Sequence, residues 1–204
     1  LIDATIVIFV LGLITVGGLF VWVSTLEIPD LSSFDQRRVL QSTKIYDRTG
    51  EIMLYDLHQD VRRTIVPFED ISYHIKNATV AIEDDQFYHH IGISPRGILR
   101  AALSNLTDGD LLGGQGGSTI TQQVIKNSIL DQDKKLTRKV KEAILALKIE
   151  RILSKDEILS YYLNESPYGG TIYGVEEASQ GFFGKSAKDI TLPEAAYLAA
   201  LPQA

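Results

Sequence analysis

Cysteine is absent from this 204-residue chain, which excludes a disulfide framework, a thiolate nucleophile and a Cys-ligated metal. Positive charge is also in short supply. The 20 Lys and Arg against 26 Asp and Glu leave a net charge of −6, the wrong sign for general nucleic-acid binding. Repeats and low-complexity tracts are missing, and with 45% hydrophobic and 23% charged residues the composition is too apolar for disorder. A length of 204 residues suits one domain, or one domain plus an anchor.

One stretch lacks charge altogether. Residues 4–26 are uncharged between Asp3 and Glu27. As a helix, these residues rise about 34 Å at ~1.5 Å each, enough for a hydrocarbon core of ~30 Å. Trp22 sits where an interfacial aromatic belongs. Signal-peptide apolar regions are shorter, ~7–15 residues, and no small-x-small cleavage pattern follows. A single transmembrane helix over 4–26 is predicted. No Lys or Arg precedes it and Arg37 and Arg38 follow it, so flanking charge alone does not fix its orientation.

Residues 27–66 are predicted to be a polar connector and a β-hairpin, with alternating apolar positions over 44–57 around the turn Asp47-Arg48-Thr49-Gly50. From 67 to 204 the pattern is helical. Ser118 precedes a helical run to Lys126. Ser154 with Glu157, and Thr191 with Glu194, have the spacing of capping boxes. A long helix is predicted over 134–153, central and buried because its second half is apolar almost all round.

Charge is unevenly placed. Residues 126–155 hold nine basic and four acidic side chains, a local +5 that leaves −11 for the rest. This is either a solvated basic face or a site for a phosphate-bearing ligand. The Gly-rich run 111–119 ends at a helix start, which suits phosphate, but it lacks the Lys and preceding strand of a nucleotide loop. Gln122, Gln123 and Lys126 share one helix face. Glu83, Asp84 and Asp85 close an apolar helical stretch and repel one another, which favours a raised pKa or a cationic partner for one of them. Glu142 follows Arg138 by four residues and Lys139 by three. On an exposed helix that is an ordinary ion pair, and in a buried one a site candidate.

Five segments then occur in order: Glu83-Asp84-x-x-Phe87-x-x-His90-x-Gly92; Gly117-Ser118-Thr119-Ile120-Thr121-Gln122-Gln123; Arg138-Lys139-x-x-Glu142; the stretch from Lys155 to Asn164; and the stretch from Glu194 to Gln203. Together they closely resemble the five motifs of the peptidoglycan glycosyltransferases (glycosyltransferase family 51), found in class A penicillin-binding proteins and monofunctional transglycosylases. The likeness covers roughly residues 40–204.

The resemblance implies a mainly α, lysozyme-like glycosyltransferase domain with a small hairpin near the membrane. It implies an enzyme that polymerises lipid II outside the bacterial cytoplasmic membrane, anchored there by a single pass. Glu83 matches the general base, and Glu142 the second glutamate that assists the departing pyrophosphate. Lys126, Arg138 and Lys139 match donor-phosphate residues. Asp84, Phe87, His90, Ser118, Thr119, Gln122, Gln123 and Lys155 fall in substrate-binding motifs, and Asn164 in the structural fourth motif. The resemblance leaves room for Mg2+ or Mn2+ at Glu142, and for no organic cofactor. The expected partners are lipid II, the growing glycan strand and the bilayer, with no nucleic acid. It does not decide whether a transpeptidase domain follows. A lytic muramidase-like hydrolase would need no basic cluster, and a silent membrane scaffold would need neither glutamate.

Overall fold

The protein is described by a computed structural model over residues 2–25, 43–51, 53–57, 62–97, 117–128 and 135–203. The connector and the glycines before Gly117 lie outside the described residues. Helix α1, Ile2–Ser24, matches the predicted N-terminal helix to within two residues at each end. Phe9, Leu13, Ile14 and Val21 are among its exposed apolar side chains, and Trp22 is half-buried. Among the described residues no helix is long and apolar enough to cross a membrane, and only part of α1's side chains belong to that set. The predicted span is therefore met as a helix of 23 residues and not as a membrane crossing.

The hairpin forms where alternation placed it. Strands β1, Thr43–Tyr46, and β2, Met53–Leu57, pair antiparallel with a register shift after Ile45. Asp47 builds the turn: its carboxylate accepts the backbone N–H groups of Thr49 and Glu51, each at 3.2 Å. Gly50 takes φ 78°, a conformation open to glycine at little cost.

A second sheet has no counterpart in the sequence pattern. It is built from β3 (Arg62–Arg63), β4 (Pro167–Gly169) and β5 (Ile172–Tyr173), with β5 in the middle, parallel to β3 and antiparallel to β4. Strands of two and three residues are too short to show a period of two. Asn164 pins this region. Its Nδ2 donates to Val66 O at 3.1 Å and its Oδ1 accepts from Val66 N at 3.0 Å.

The remaining helices are α2 (Tyr73–Glu83), α3 (Ile120–Ser128), α4 (Lys135–Ile149), α5 (Lys155–Glu165), α6 (Val175–Phe183) and α7 (Leu192–Ala200). α2 packs on α7, and α3 packs on both α4 and α5. Ile120, Val124 and Ile125 of α3 meet Leu145 and Ile149 of α4 and Ile158, Leu159 and Leu163 of α5 in one buried cluster. At ~25 cal/mol per Å² of apolar surface removed from water, such side chains contribute roughly 1.5–3 kcal/mol each. α4 is four residues shorter at its C-terminal end than predicted, because the chain turns after Ile149 before Ser154 caps α5. It is central as predicted, with Leu145, Ala146 and Ile149 buried, while Lys139 and Lys148 are exposed.

Candidate active site

Glu83 is the last residue of α2, a helix started by Ser72, whose hydroxyl accepts the His74 N–H and donates to Ile190 O of the segment before α7. Asp84 leaves the helical conformation at once, with φ −160°. The Glu83 side chain therefore projects from a fixed helix end. Gln123 of α3 donates to its Oε2 at 2.7 Å, while Oε1 is buried with no hydrogen-bond partner. Two tyrosines back the carboxylate. Burial, and after it the charge of Glu83, push the hydroxyls of Tyr162 and Tyr168 far above the ordinary phenol range.

The neighbouring motif residues turn inward. Asp84 is 8% exposed, and its Oδ2 accepts from His90 Nε2 at 2.8 Å and from the backbone N–H of Ile120 at 3.1 Å. Gly92 N–H donates to His90 Nδ1 at 3.1 Å, so Nδ1 is an acceptor and Nε2 carries the hydrogen. Gly92 itself has φ 93°, and a Cβ there would stand 2.8 Å from Ala146 O, so the loop lies directly against α4. Phe87 is fully buried, with the ammonium of Lys155 4.6 Å above its ring. Phe87 and His90 thus support the site from behind, while Asp84 is anchored at its edge.

α3 begins one residue later than predicted. The reciprocal bonds of a capping box belong to Thr119 and Gln122: Gln122 N–H to Thr119 Oγ1 at 3.2 Å and Thr119 N–H to Gln122 Oε1 at 3.0 Å. Thr119 Oγ1 also donates to Gly92 O at 2.6 Å. Gln122, expected to bind substrate, is a helix cap, whereas its neighbour Gln123 faces Glu83.

The second glutamate is fully buried on α4. Lys139 donates to Glu142 Oε2 at 2.6 Å, and the Nε of Arg138 stands 3.2 Å from Oε1 without the alignment of a hydrogen bond. Lys139 Nζ also donates to Ser118 Oγ at 2.7 Å and keeps 46% of its side chain exposed. Burial therefore makes Glu142 a holder of two cations rather than a surface ion pair. Its carboxylate is occupied, and among the described residues no group of three or more His, Asp or Glu could hold a metal ion. This donor set does not fit a divalent cation.

A cleft of about 470 Å³ opens beside Glu83 and the start of α3, with Arg138, Lys139 and Glu142 outside its lining. Glu83 and Asp84 line one side and Gly117, Ser118 and Thr119 another, with Ser94 and Arg96 between. Ser94 and Arg96 were missed by the sequence reading. The visible signal was a cation in the polar stretch after His90. Lys126 is exposed on α3 and is not among the lining residues. Lys155 is held by Glu150 at 2.7 Å, and Thr121 donates to the same carboxylate oxygen at 2.6 Å. Asn164 is spent on Val66, as its structural motif implied.

Comparison with known proteins agrees with this layout. Residues 50–204 match the family model described as Transglycosylase. The chain is 43% identical to Penicillin-binding protein 1A of Aquifex aeolicus over 97% of its length, 27% of that protein. It is 38% identical to the protein of the same name from Vibrio cholerae over 96% of its length, 23% of that protein. For that of Clostridium perfringens the identity is 43% over 94% of its length, 28% of that protein. The chain thus spans about a quarter of the length of the curated relatives it matches.

Proposed function

The chain belongs to the transglycosylase family, and from that premise we propose that it is a peptidoglycan glycosyltransferase, polymerising lipid II into β-1,4-linked glycan strands. The observation that carries this reading is one cleft bordered by the Glu83 carboxylate at the end of α2 and by Ser118, to which Lys139 is bonded at 2.7 Å. An inverting transfer needs a base on the acceptor side and positive charge where the leaving group departs.

Glu83, held by Gln123, takes the proton from the 4-hydroxyl of the acceptor N-acetylglucosamine. That oxygen attacks the anomeric carbon of the donor N-acetylmuramic acid and inverts it. The bond to the undecaprenyl pyrophosphate breaks, and Lys139 and Arg138 stabilise the charge that develops there. Glu142 keeps both cations in place. No step is routed through a metal, because the Glu142 carboxylate is already occupied.

We place the domain outside the cytoplasmic membrane, held by the uncharged run 4–26 as a single pass. Two features support this: the run's reach of about 34 Å as a helix, and the exposed apolar side chains of α1. A polyprenyl substrate stays in the bilayer, so tethering raises the encounter rate.

Incubation of the chain with labelled lipid II tests the reading. Wild type is expected to yield long strands and Glu83→Gln none. Absence of polymer from wild type, or normal polymer from the variant, overturns it, and short fragments released from finished glycan would indicate a hydrolase instead.

A further inference from the structure

Three buried side-chain oxygens behind the cleft have no hydrogen-bond partner among the described residues: Glu83 Oε1, Tyr162 Oη and Ser166 Oγ. Tyr162 and Ser166 are each only 1% exposed. These atoms are not scattered, since the Tyr162 hydroxyl neighbours both of the others. Buried polar atoms that can satisfy one another rarely stay unpaired, and a hydroxyl hydrogen rotates freely to do so.

Donor chemistry fixes the order of the chain. A carboxylate only accepts, and a tyrosine hydroxyl has one hydrogen to give. Tyr162 must therefore spend that hydrogen on Glu83, leaving its oxygen to accept from Ser166. Here we infer that Tyr162 is a positioning residue for Glu83: Ser166 donates to Tyr162, Tyr162 donates to Oε1, and the carboxylate is gripped on both oxygens because Gln123 already holds Oε2.

The setting supports a donor that never loses its proton. Burial, together with the charge of Glu83, pushes the Tyr162 hydroxyl far above the ordinary range. The titratable groups facing Glu83 are Tyr162 from α5 and Tyr168 from β4, with Asp84 and Asp85 next in the chain and Arg96 lining the same cleft. Tyr168 feels the same carboxylate, but its hydroxyl is not one of the three unpartnered oxygens. Tyr162 transfers no proton. It fixes the direction of the base and favours its charged form, the form that can accept a proton.

This inference rests on Glu83 being the base, so two kinds of measurement are needed. In the full chain, Tyr162→Phe keeps the ring and is expected to fold, with a Tm lowered by several degrees at most. Its kcat on lipid II should fall about tenfold, the effect of losing one charge-assisted hydrogen bond, with KM within about twofold. The acid limb of the pH–rate profile should move to higher pH, because removing a donor disfavours the charged base. Ser166→Ala should move it the same way by less.

The second measurement needs no activity. In tyrosine-labelled protein the Tyr162 hydroxyl proton should give a downfield NMR signal that vanishes in Tyr162→Phe and moves upfield in Glu83→Gln. A signal indifferent to Glu83→Gln overturns the inference, as does an unmoved acid limb in Tyr162→Phe. A wild type that makes no polymer, while the signal still responds to Glu83→Gln, overturns the polymerase reading and leaves the grip standing. Should Tyr162→Phe fail to fold, the Ser166→Ala profile and the Glu83→Gln response decide the matter.

Discussion

Gly92 shows at a single position how tightly the two halves of the cleft are fitted. With φ 93° and Ala146 O only 2.8 Å from where a Cβ would go, Gly92→Ala combines backbone strain with overlap against an unyielding helix backbone. The expected cost is about 2–5 kcal/mol, read as a drop in Tm of several degrees by calorimetry. The ion cluster around Glu142 predicts an asymmetry. Lys139→Met strips the buried carboxylate of its one aligned hydrogen bond and should destabilise the fold by about 1–3 kcal/mol. Glu142→Gln should cost less stability, because Arg138 and Lys139 are part-exposed and can turn to water, while costing more activity through loss of their placement. Chemical denaturation beside polymer yield separates the two effects. Both glutamates were legible in the sequence because carboxylate chemistry is tied to motif spacing. The role of Gln122 was not. Thr119 and Gln122 carry the same four-residue capping spacing as Ser154 and Glu157, but setting the helix start one residue early hid it. The inward turn of Asp84 and His90 is a tertiary fact, since their partners Ile120 and Gly92 are fixed only when α3 and α4 pack.

Helix ends were the best-read elements. The boxes at Ser154 and Thr191 form as predicted, each with its glutamate returning a hydrogen bond to the cap. Glu194 carries a pH signature. The Lys185 ammonium foremost, then the Thr191 backbone and hydroxyl, hold its carboxyl down to about 2 from an ordinary 4.5. A depressed carboxylate favours the folded state above its unfolded value, and that contribution is lost as pH falls from about 4.5 towards 2. α7 is therefore expected to loosen in that window. Acid titration by circular dichroism should show a transition that Glu194→Gln blunts. The short strands β3, β4 and β5 escaped the sequence because two or three residues each are too few to show a period, and β3 meets β5 only across about a hundred residues of chain.

At the scale of the molecule, Glu177 ties the hairpin to the helical domain. Its carboxylate, on α6 and only 4% exposed, binds Lys44 of β1 at 2.6 Å and the hydroxyl of Thr64 beside β3. Glu177→Ala should speed amide exchange in β1 and β2 by hydrogen–deuterium mass spectrometry while leaving α3 and α5 protected. Deleting residues 1–26 tests the anchor. The Tm of the helical domain should hold, while polymer yield from vesicle-borne lipid II should fall further than yield from detergent-dispersed substrate. The N-terminal helix and the helical class could be read from hydropathy because both are properties of long segments. The cleft could not, because it is made where three separate segments meet.

The shared carboxylate of Asp84 has a pharmacological corollary. It joins the end of α2, the loop bearing His90 and the first turn of α3, and α3 carries the Gln123 that holds Glu83. A small molecule wedged between His90 and Asp84 would unseat that first turn and slacken the hold on Glu83 without competing with substrate. Inhibition of that kind would be noncompetitive, and raising the substrate concentration would not relieve it.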